Sequence, residues 1–85
     1  MTWTVLAASR ARKNLERAPA ADRRRIEAAL SAMTADPLAG DVVKLKGMDA
    51  FRRRVGDWRI IFDIDFAART VRVFDVLRRN EATYR

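Results

Sequence analysis

The sequence contains neither cysteine nor histidine among its 85 residues. The lack of cysteine excludes disulfides and thiolate metal sites, and it favours the reducing environment of the cytoplasm. The lack of histidine removes the side chain that most often transfers protons near neutral pH and most often binds metals. We therefore expect no metal and no other cofactor, and any catalysis must use Lys, Arg, Tyr, Asp or Glu.

Long apolar runs are missing as well. The first apolar stretch, residues 3–8, follows no basic segment and is shorter than the core of a signal peptide, and no run approaches the length of a membrane span. We expect a cytoplasmic protein that makes no membrane contact. With 49% apolar and 34% charged residues, the sequence predicts a single globular domain over residues 1–85.

The charge is unbalanced towards the positive. There are 18 Lys and Arg against 11 Asp and Glu, which gives a net charge of +7. Such an excess favours a polyanion or an acidic protein as partner, although it does not choose between them. Most of the cations are arginines, whose planar guanidinium groups suit bidentate contacts with phosphate.

The first third of the sequence predicts a strand followed by a helical hairpin. Residues 3–6 are β-branched, aromatic or aliphatic, which favours a strand. Ser9 predicts the N-cap of a helix over residues 10–17. A second helix is predicted over residues 21–35 because its apolar positions recur at helical spacing, and the residue before Pro37 should end it.

From residue 41 the apolar pattern changes to a period of two. Strands are predicted over residues 51–55, 58–65 and 70–77, whereas residues 42–45 fit either a short edge strand or extended chain. Gly56 at the first central position of a two-residue loop predicts a type II′ hairpin turn. The predicted fold is α+β, with an N-terminal strand, a two-helix hairpin and an antiparallel sheet of about four strands that carries the helices on one face.

The turn at Gly56 fixes the register of the first hairpin. The predicted opposing pairs are Val55 with Trp58, Arg54 with Arg59, and Arg52 with Ile61. Alternation then places Arg52, Arg54 and Arg59 on one face of the sheet and the larger apolar residues on the other. Arg53 falls on the apolar face, so its guanidinium should reach solvent near an edge.

Opposed like charges destabilise a sheet, so the pair Arg54 and Arg59 calls for an explanation. One alternative is a solvated polar face with Asp57 or Asp63 as counter-ion. The other is an anion site that a phosphate neutralises. Three arginines on one small face of a basic protein favour the anion site.

The second hairpin adds two expectations. Pairing Asp65 with Thr70 sets Asp63 opposite Arg72, which predicts an ion pair across the strands. If alternation continues unbroken, Arg78 lies on the same face as the arginine cluster.

Four segments together resemble the RelE branch of the RelE/ParE toxin superfamily. They are residues 44–48 (KLKGM), residues 51–62 (FRRRVGDWRIIF), residues 78–79 (RR) and residues 84–85 (YR). The resemblance implies the toxin of a type II toxin–antitoxin system, an mRNA interferase that enters the ribosome decoding site and cuts mRNA without a metal. It also implies a cognate antitoxin that keeps the toxin inactive.

The resemblance assigns roles by position. Arg52 and Arg54 stand where the family often has lysine or arginine, and Arg59 stands at the arginine that contacts the scissile phosphate. Arg79 corresponds to a further catalytic arginine, and Tyr84 to the C-terminal tyrosine, which could stack on a base or donate a proton.

Flanking basic residues are expected to bind RNA. Lys44 and Lys46 fall in the basic approach to the site, and Arg78 follows from the register. Since the family resemblance favours Arg79 over Arg78 as the catalytic residue, we predict a break in strand alternation near residues 75–78.

The weak point of this chemistry is the general base. Arg52 and Arg54 stay protonated and cannot accept the proton of the attacking 2′-hydroxyl. A lysine base would be available only if Lys44 or Lys46 reached the site with a lowered pKa. Two other functions stay open: a ParE-like inhibitor of DNA gyrase on the same fold, and a basic binding module without activity.

Overall fold

In a computed structural model that describes residues 2–78, the chain forms five strands and two helices. In chain order the elements are β1 (Thr4–Ala7), α1 (Ser9–Arg17), α2 (Ala20–Ala32), β2 (Val42–Lys44), β3 (Phe51–Val55), β4 (Trp58–Asp65) and β5 (Thr70–Arg78). All the strands belong to one sheet, in the order β1-β5-β4-β3-β2. The predicted α+β fold is confirmed.

The sheet has one strand more than expected, and one of its pairings is parallel. β1 lies parallel to β5, with Val5 opposite Val71, whereas the other neighbouring strands are antiparallel. The parallel pairing is possible because residues 8–69, which include both helices and the other three strands, supply the long connection that such strands require. Residues 42–44 form the short edge strand β2, which decides between the two alternatives that the sequence left open.

Both helices pack on one face of the sheet and enclose the main core. The fully buried residues at its centre include Ile26 and Met33 from the α2 region and Ile60 and Phe62 from β4, all at 0% exposure. Burying one such side chain contributes about 1.5–3 kcal/mol. Within residues 2–78, neither helix has the length and apolar character needed to cross a membrane.

The helix ends differ from prediction in two details. Ser9 is the first residue of α1, and Ala8 occupies the N-cap position without a side-chain cap, so the predicted Ser9 cap is wrong. α2 ends at Ala32, before the predicted end at residue 35. Its last turn tightens there because the backbone N–H of Ala35 bonds to the carbonyl of Ala32 at 3.1 Å, three residues back.

The first hairpin has the predicted register. Val55 lies opposite Trp58, Arg54 opposite Arg59, and Arg52 opposite Ile61. Gly56 has φ +59°, whereas Asp57 is not among the described residues with positive φ, as a type II′ turn requires. The local turn therefore determines which residues of β3 and β4 share a face.

We predict that Gly56→Ala destabilises the protein by about 1–2 kcal/mol, because an L-residue pays a conformational cost in the left-handed region. An added Cβ would also lie 3.2 Å from a guanidinium nitrogen of Arg25, which is flexible enough to move. Urea unfolding measures the change. Gly56→Asn is the matched variant and should lose less, since Asn tolerates positive φ better. Equal stability of Gly56→Ala and wild type would contradict the role of this turn.

Arg53 lies on the helix-side face, as predicted, and its guanidinium reaches the edge of the sheet. It donates a hydrogen bond to the carbonyl oxygen of Ala39 at 3.0 Å. The group packs against Gly40, where a Cβ would lie only 2.9 Å from the guanidinium carbon. The prediction that this side chain reaches out near an edge is confirmed.

A β-bulge interrupts the pairing of β4 with β5. Phe62 lies opposite Val73, but the preceding Ile61 lies opposite Asp75, so β5 carries one extra residue at this point. Asp75 and Val76 are consequently both buried, although they are adjacent in the strand. The predicted break in alternation is confirmed.

Candidate functional site

The face of the sheet opposite the helices carries the arginine cluster, which we define as Arg52, Arg54 and Arg59. These side chains alternate with residues of the helix-side core, so the helices leave them uncovered. Arg54 is exposed, whereas Arg52 and Arg59 are half-buried. The predicted gathering of three guanidinium groups on the open face is confirmed by this register.

Asp41 is the acidic residue that the structure adds to this cluster. One of its carboxylate oxygens, Oδ2, accepts a hydrogen bond from Nε of Arg54 at 2.9 Å, and the other, Oδ1, lies 3.9 Å from a terminal nitrogen of Arg52. The counter-ions considered from the sequence were Asp57 and Asp63, so the identity of the partner is a correction. Its signal was hidden because Asp41 precedes the short strand β2, whose register no tight turn fixes.

Arg52 of the cluster has a hydrogen-bond donor that is not used. Nε of Arg52 is buried and has no hydrogen-bond partner among residues 2–78. Leaving a buried donor unsatisfied costs about 1–3 kcal/mol, and more when the group is charged. An anion bound at this face would stabilise the cluster by adding acceptors.

A second, smaller core lies on the open face beside the arginine cluster. Ile61 alternates onto this face, yet it is only 1% exposed because Leu45, Ala50 and Leu77 pack against it. The β2–β3 loop, residues 45–50, is thereby held over the open face. This small core was missed because its members come from three separate segments.

The two predicted RNA-binding lysines lie at the end of β2 and in the loop that follows it. Lys46 is exposed within it, whereas Lys44 pairs with Phe51 and so shares the helix-side face of the sheet at its β2 edge. Both line a shallow hollow of about 520 Å³ formed by residues 44–49. The loop thus brings one lysine, Lys46, to the open face, together with the acidic residue Asp49.

Asp63 and Arg72 form the predicted ion pair across β4 and β5. Nε and one terminal nitrogen of Arg72 each donate to Asp63, both at 2.8 Å. These hydrogen bonds, and then the negative charge of Asp63, raise the pKa of Arg72. The pair lies on the open face but is internally neutralised, so it is distinct from the arginine cluster.

The bulge moves Arg78 to the other side of the sheet. Its guanidinium lies over the ring of Trp58 at 5.2 Å and is 3.6 Å from a carboxylate oxygen of Asp22. The prediction that Arg78 shares a face with Arg59 is therefore wrong, because it assumed unbroken alternation along β5.

Arg78 lines a cleft on the helix side. The cleft has a volume of about 420 Å³ and is lined by Asn14, Arg17, Pro19, Trp58, Val76 and Arg78. Arg79 and Tyr84, the other two residues assigned from the family resemblance, lie outside the described residues. Within residues 2–78, no group of three or more acidic side chains is arranged to hold a metal ion.

Asp22 connects this cleft to α2. The indole Nε1 of Trp58 donates to it at 3.1 Å and Arg25 donates to it at 2.8 Å, and these two hydrogen bonds lower the pKa of the Asp22 carboxyl. A lowered pKa in the folded state contributes stability that is present above the unfolded pKa, which is about 3.9 for aspartate. That contribution is lost as the pH falls through the folded pKa.

We predict that Asp22→Asn reduces the loss of stability below about pH 4, because the variant has no carboxylate at this position that acid could protonate. The free energy of unfolding in urea is measured from pH 7 down to pH 2.5. Glu27→Gln, at an exposed position on the same helix, is the control and should keep the wild-type acid profile. An unchanged acid limb in Asp22→Asn would rule out the ionised hydrogen bonds as a source of stability.

Comparison with known proteins adds the family to this geometry. The family model described as the ParE toxin of type II toxin–antitoxin systems, parDE, matches residues 5–83. The chain belongs to the RelE/ParE superfamily of type II toxins. No curated protein matches the chain in sequence.

Solved structures of RelE toxins have the same fold as this RelE/ParE toxin. The toxin of the archaeal RelE–RelB complex from Pyrococcus horikoshii OT3 is 27% identical and has a TM-score of 0.84, with 96% of this chain and 100% of that chain covered. The Methanococcus jannaschii RelB–RelE complex gives 28% identity and a TM-score of 0.74, with coverage of 88% and 91%.

A third relative shares the fold at lower identity. The YoeB/ParE toxin from Agrobacterium tumefaciens is 17% identical, with a TM-score of 0.76 and coverage of 88% of this chain and 96% of that chain. Together these likenesses establish the fold of a RelE/ParE toxin. Whether the toxin acts on mRNA or on DNA gyrase is therefore inferred from the residues of the site.

Proposed function

We propose that this RelE/ParE toxin is an endoribonuclease that cuts mRNA in the decoding site of the ribosome, in the cytoplasm. The observation that carries the proposal is the arginine cluster on the open face, with Arg54 directly opposite Arg59. Such a like-charge pair costs up to about 1 kcal/mol in a sheet, and Asp41, which pairs with Arg54, offsets part of that cost. A phosphate backbone offers further acceptors to this cluster, in which Nε of Arg52 is buried without a hydrogen-bond partner.

The chemistry follows from what these side chains can do. The 2′-hydroxyl of one nucleotide attacks its own 3′-phosphate, which leaves a 2′,3′-cyclic phosphate and a free 5′-hydroxyl. Arg59 binds the scissile phosphate, and Arg52 and Arg54 stabilise the negative charge that develops on it. In this proposal Arg79 adds a further guanidinium, Tyr84 donates a proton or stacks on a base, and the ribosome holds the RNA in an in-line geometry.

The basic charge also supports a protein partner. The related toxins from Pyrococcus horikoshii and Methanococcus jannaschii were solved in complexes with RelB. We propose a cognate antitoxin that neutralises part of the +7 charge of this chain with an acidic segment. Electrostatic complementarity of this kind speeds association and fixes the partner's orientation.

A second function is supported by the family model, whose description names the ParE toxin. A ParE-like toxin would inhibit DNA gyrase and would need no RNA chemistry. The arginine cluster favours RNA cleavage. A phosphate would bind three guanidinium groups and would give an acceptor to the buried, unsatisfied Nε of Arg52, whereas inhibition of a protein gives no reason to gather them.

The two functions are separated by primer extension on a message in a translating extract, with and without the toxin. We expect cuts that follow the reading frame and disappear when ribosomes are removed. A parallel assay measures DNA supercoiling by purified gyrase. Intact message together with blocked supercoiling would reject the endonuclease and support the ParE-like function.

A further inference from the structure

Asp41 is an acidic residue of the open face that the mechanism above leaves without a role. It directly precedes β2, and its carbonyl oxygen accepts a hydrogen bond from the backbone N–H of Arg54 at 3.0 Å. This bond continues the β2–β3 ladder by one residue. Asp41, Arg54 and Arg59 therefore form one row across three neighbouring strands.

The two oxygens of the Asp41 carboxylate differ in their surroundings. Oδ2 is fixed by Nε of Arg54 at 2.9 Å. Oδ1 lies 3.9 Å from the nearest nitrogen of Arg52, which is longer than a hydrogen bond, and the side chain is 45% exposed. One oxygen is thus oriented by Arg54, while the other lies beyond hydrogen-bond distance of Arg52 and can accept a proton.

The proposed cleavage needs such an acceptor. Guanidinium groups stay protonated in proteins, whereas carboxylates are ionised at neutral pH and act as general bases. Neighbouring strands are about 4.8 Å apart, so the backbones of Asp41 and Arg59 are about 10 Å apart across the row. Side chains reaching inward from both ends of that span can contact the 2′-hydroxyl and the phosphate of one nucleotide.

We propose that Asp41 is the general base of this toxin, a proposal that rests on the endonuclease function argued above. Its Oδ1 accepts the proton of the 2′-hydroxyl while the 2′-oxygen forms a bond to phosphorus and the bond from phosphorus to the 5′-oxygen breaks. The leaving 5′-oxygen takes a proton from Tyr84 or from water. Asp41 afterwards releases its proton to water.

This role makes binding and chemistry respond in opposite directions to one substitution. Asp41→Asn keeps the shape of the side chain but removes the ability to accept a proton. Removing its negative charge from beside Arg52 and Arg54 should strengthen RNA binding. Losing the base should lower the rate by at least about 100-fold, the usual lower limit for general-base catalysis.

The experiment uses ribosomes programmed with a message that the wild-type toxin cuts. Single-turnover cleavage gives the rate, and the same message with a 2′-deoxynucleotide at the cleaved position gives the affinity without reaction. Asp41→Glu retains a carboxylate and should recover part of the rate. Asp63→Asn is the matched control, since it removes an arginine-paired carboxylate from the same face and should cleave at nearly the wild-type rate.

The pattern of results decides the proposal. Tighter binding with slower cleavage in Asp41→Asn, and partial rescue by Asp41→Glu, supports Asp41 as the base. If binding and cleavage both rise, Asp41 is only a counter-ion, and if both fall, it only holds Arg54 in place; either result overturns the proposal. A wild-type toxin that leaves the message intact overturns the endonuclease function itself.

Discussion

Arg59→Ala is expected to lower the rate of mRNA cleavage by about 10²–10³-fold, the usual effect of losing one donor to a developing negative charge. Arg59 lies in β4, at the end of the row that begins with Asp41, and projects from the face that the helices leave open. The variant should keep its fold because the main core lies on the other face. Primer extension in the translating extract measures cleavage, and circular dichroism checks the fold.

Two further variants separate the role of Arg59 from that of charge alone. Arg72→Ala removes one positive charge from the same face, but from a residue that already pairs with Asp63, so its cleavage should stay close to wild type. Arg59→Lys keeps the charge but loses the planar fork for phosphate, so its rate should lie between those of wild type and Arg59→Ala. Undiminished cleavage by Arg59→Ala would refute the assignment of this residue.

The arginine cluster could be predicted because its signal is local. Gly56 fixes the turn, the turn fixes the register, and the register places residues 52, 54 and 59 on one face. A period of two then assigns the opposite face to the core. Each step uses residues within one hairpin, so no knowledge of distant contacts was needed.

Asp41 and Arg78 could not be placed from the same reasoning. Asp41 depends on the register of β2, a strand of three residues that is joined to β3 by a loop rather than a tight turn. Arg78 depends on the bulge opposite Ile61, which shifts the last residues of β5 by one position. The predicted break in this region came from the family resemblance, and the sequence contains no glycine there to mark it.

The sequence pattern also could not predict which residues of the open face are buried. Alternation indicates which face a residue occupies, but it does not tell whether something covers that face. Ile61 was predicted on the arginine side as one residue of a polar surface, whereas it is buried under the β2–β3 loop. Leu45 and Ala50 cover Ile61. They are distant from it in sequence, and their spacing follows neither the strand nor the helix periodicity.

Ile61→Ala is the second variant with a large expected effect, because Ile61 links stability to the position of the β2–β3 loop. Truncating a buried isoleucine costs about 2–5 kcal/mol. Ile61 is 1% exposed and packs with Leu45, Ala50 and Leu77. Without it, the loop that carries Lys46 is expected to leave the open face more often, so RNA affinity should fall together with stability.

Ile60→Ala provides the matched comparison, since Ile60 is the neighbouring residue of β4 and is buried at 0% exposure on the helix side. We expect a similar loss of unfolding free energy in urea, but cleavage and RNA affinity near wild type at a temperature where both variants are folded. The difference between the two variants isolates the loop, because both remove the same atoms from the same strand. If both variants bind and cleave RNA equally well, the loop over Ile61 takes no part in the site.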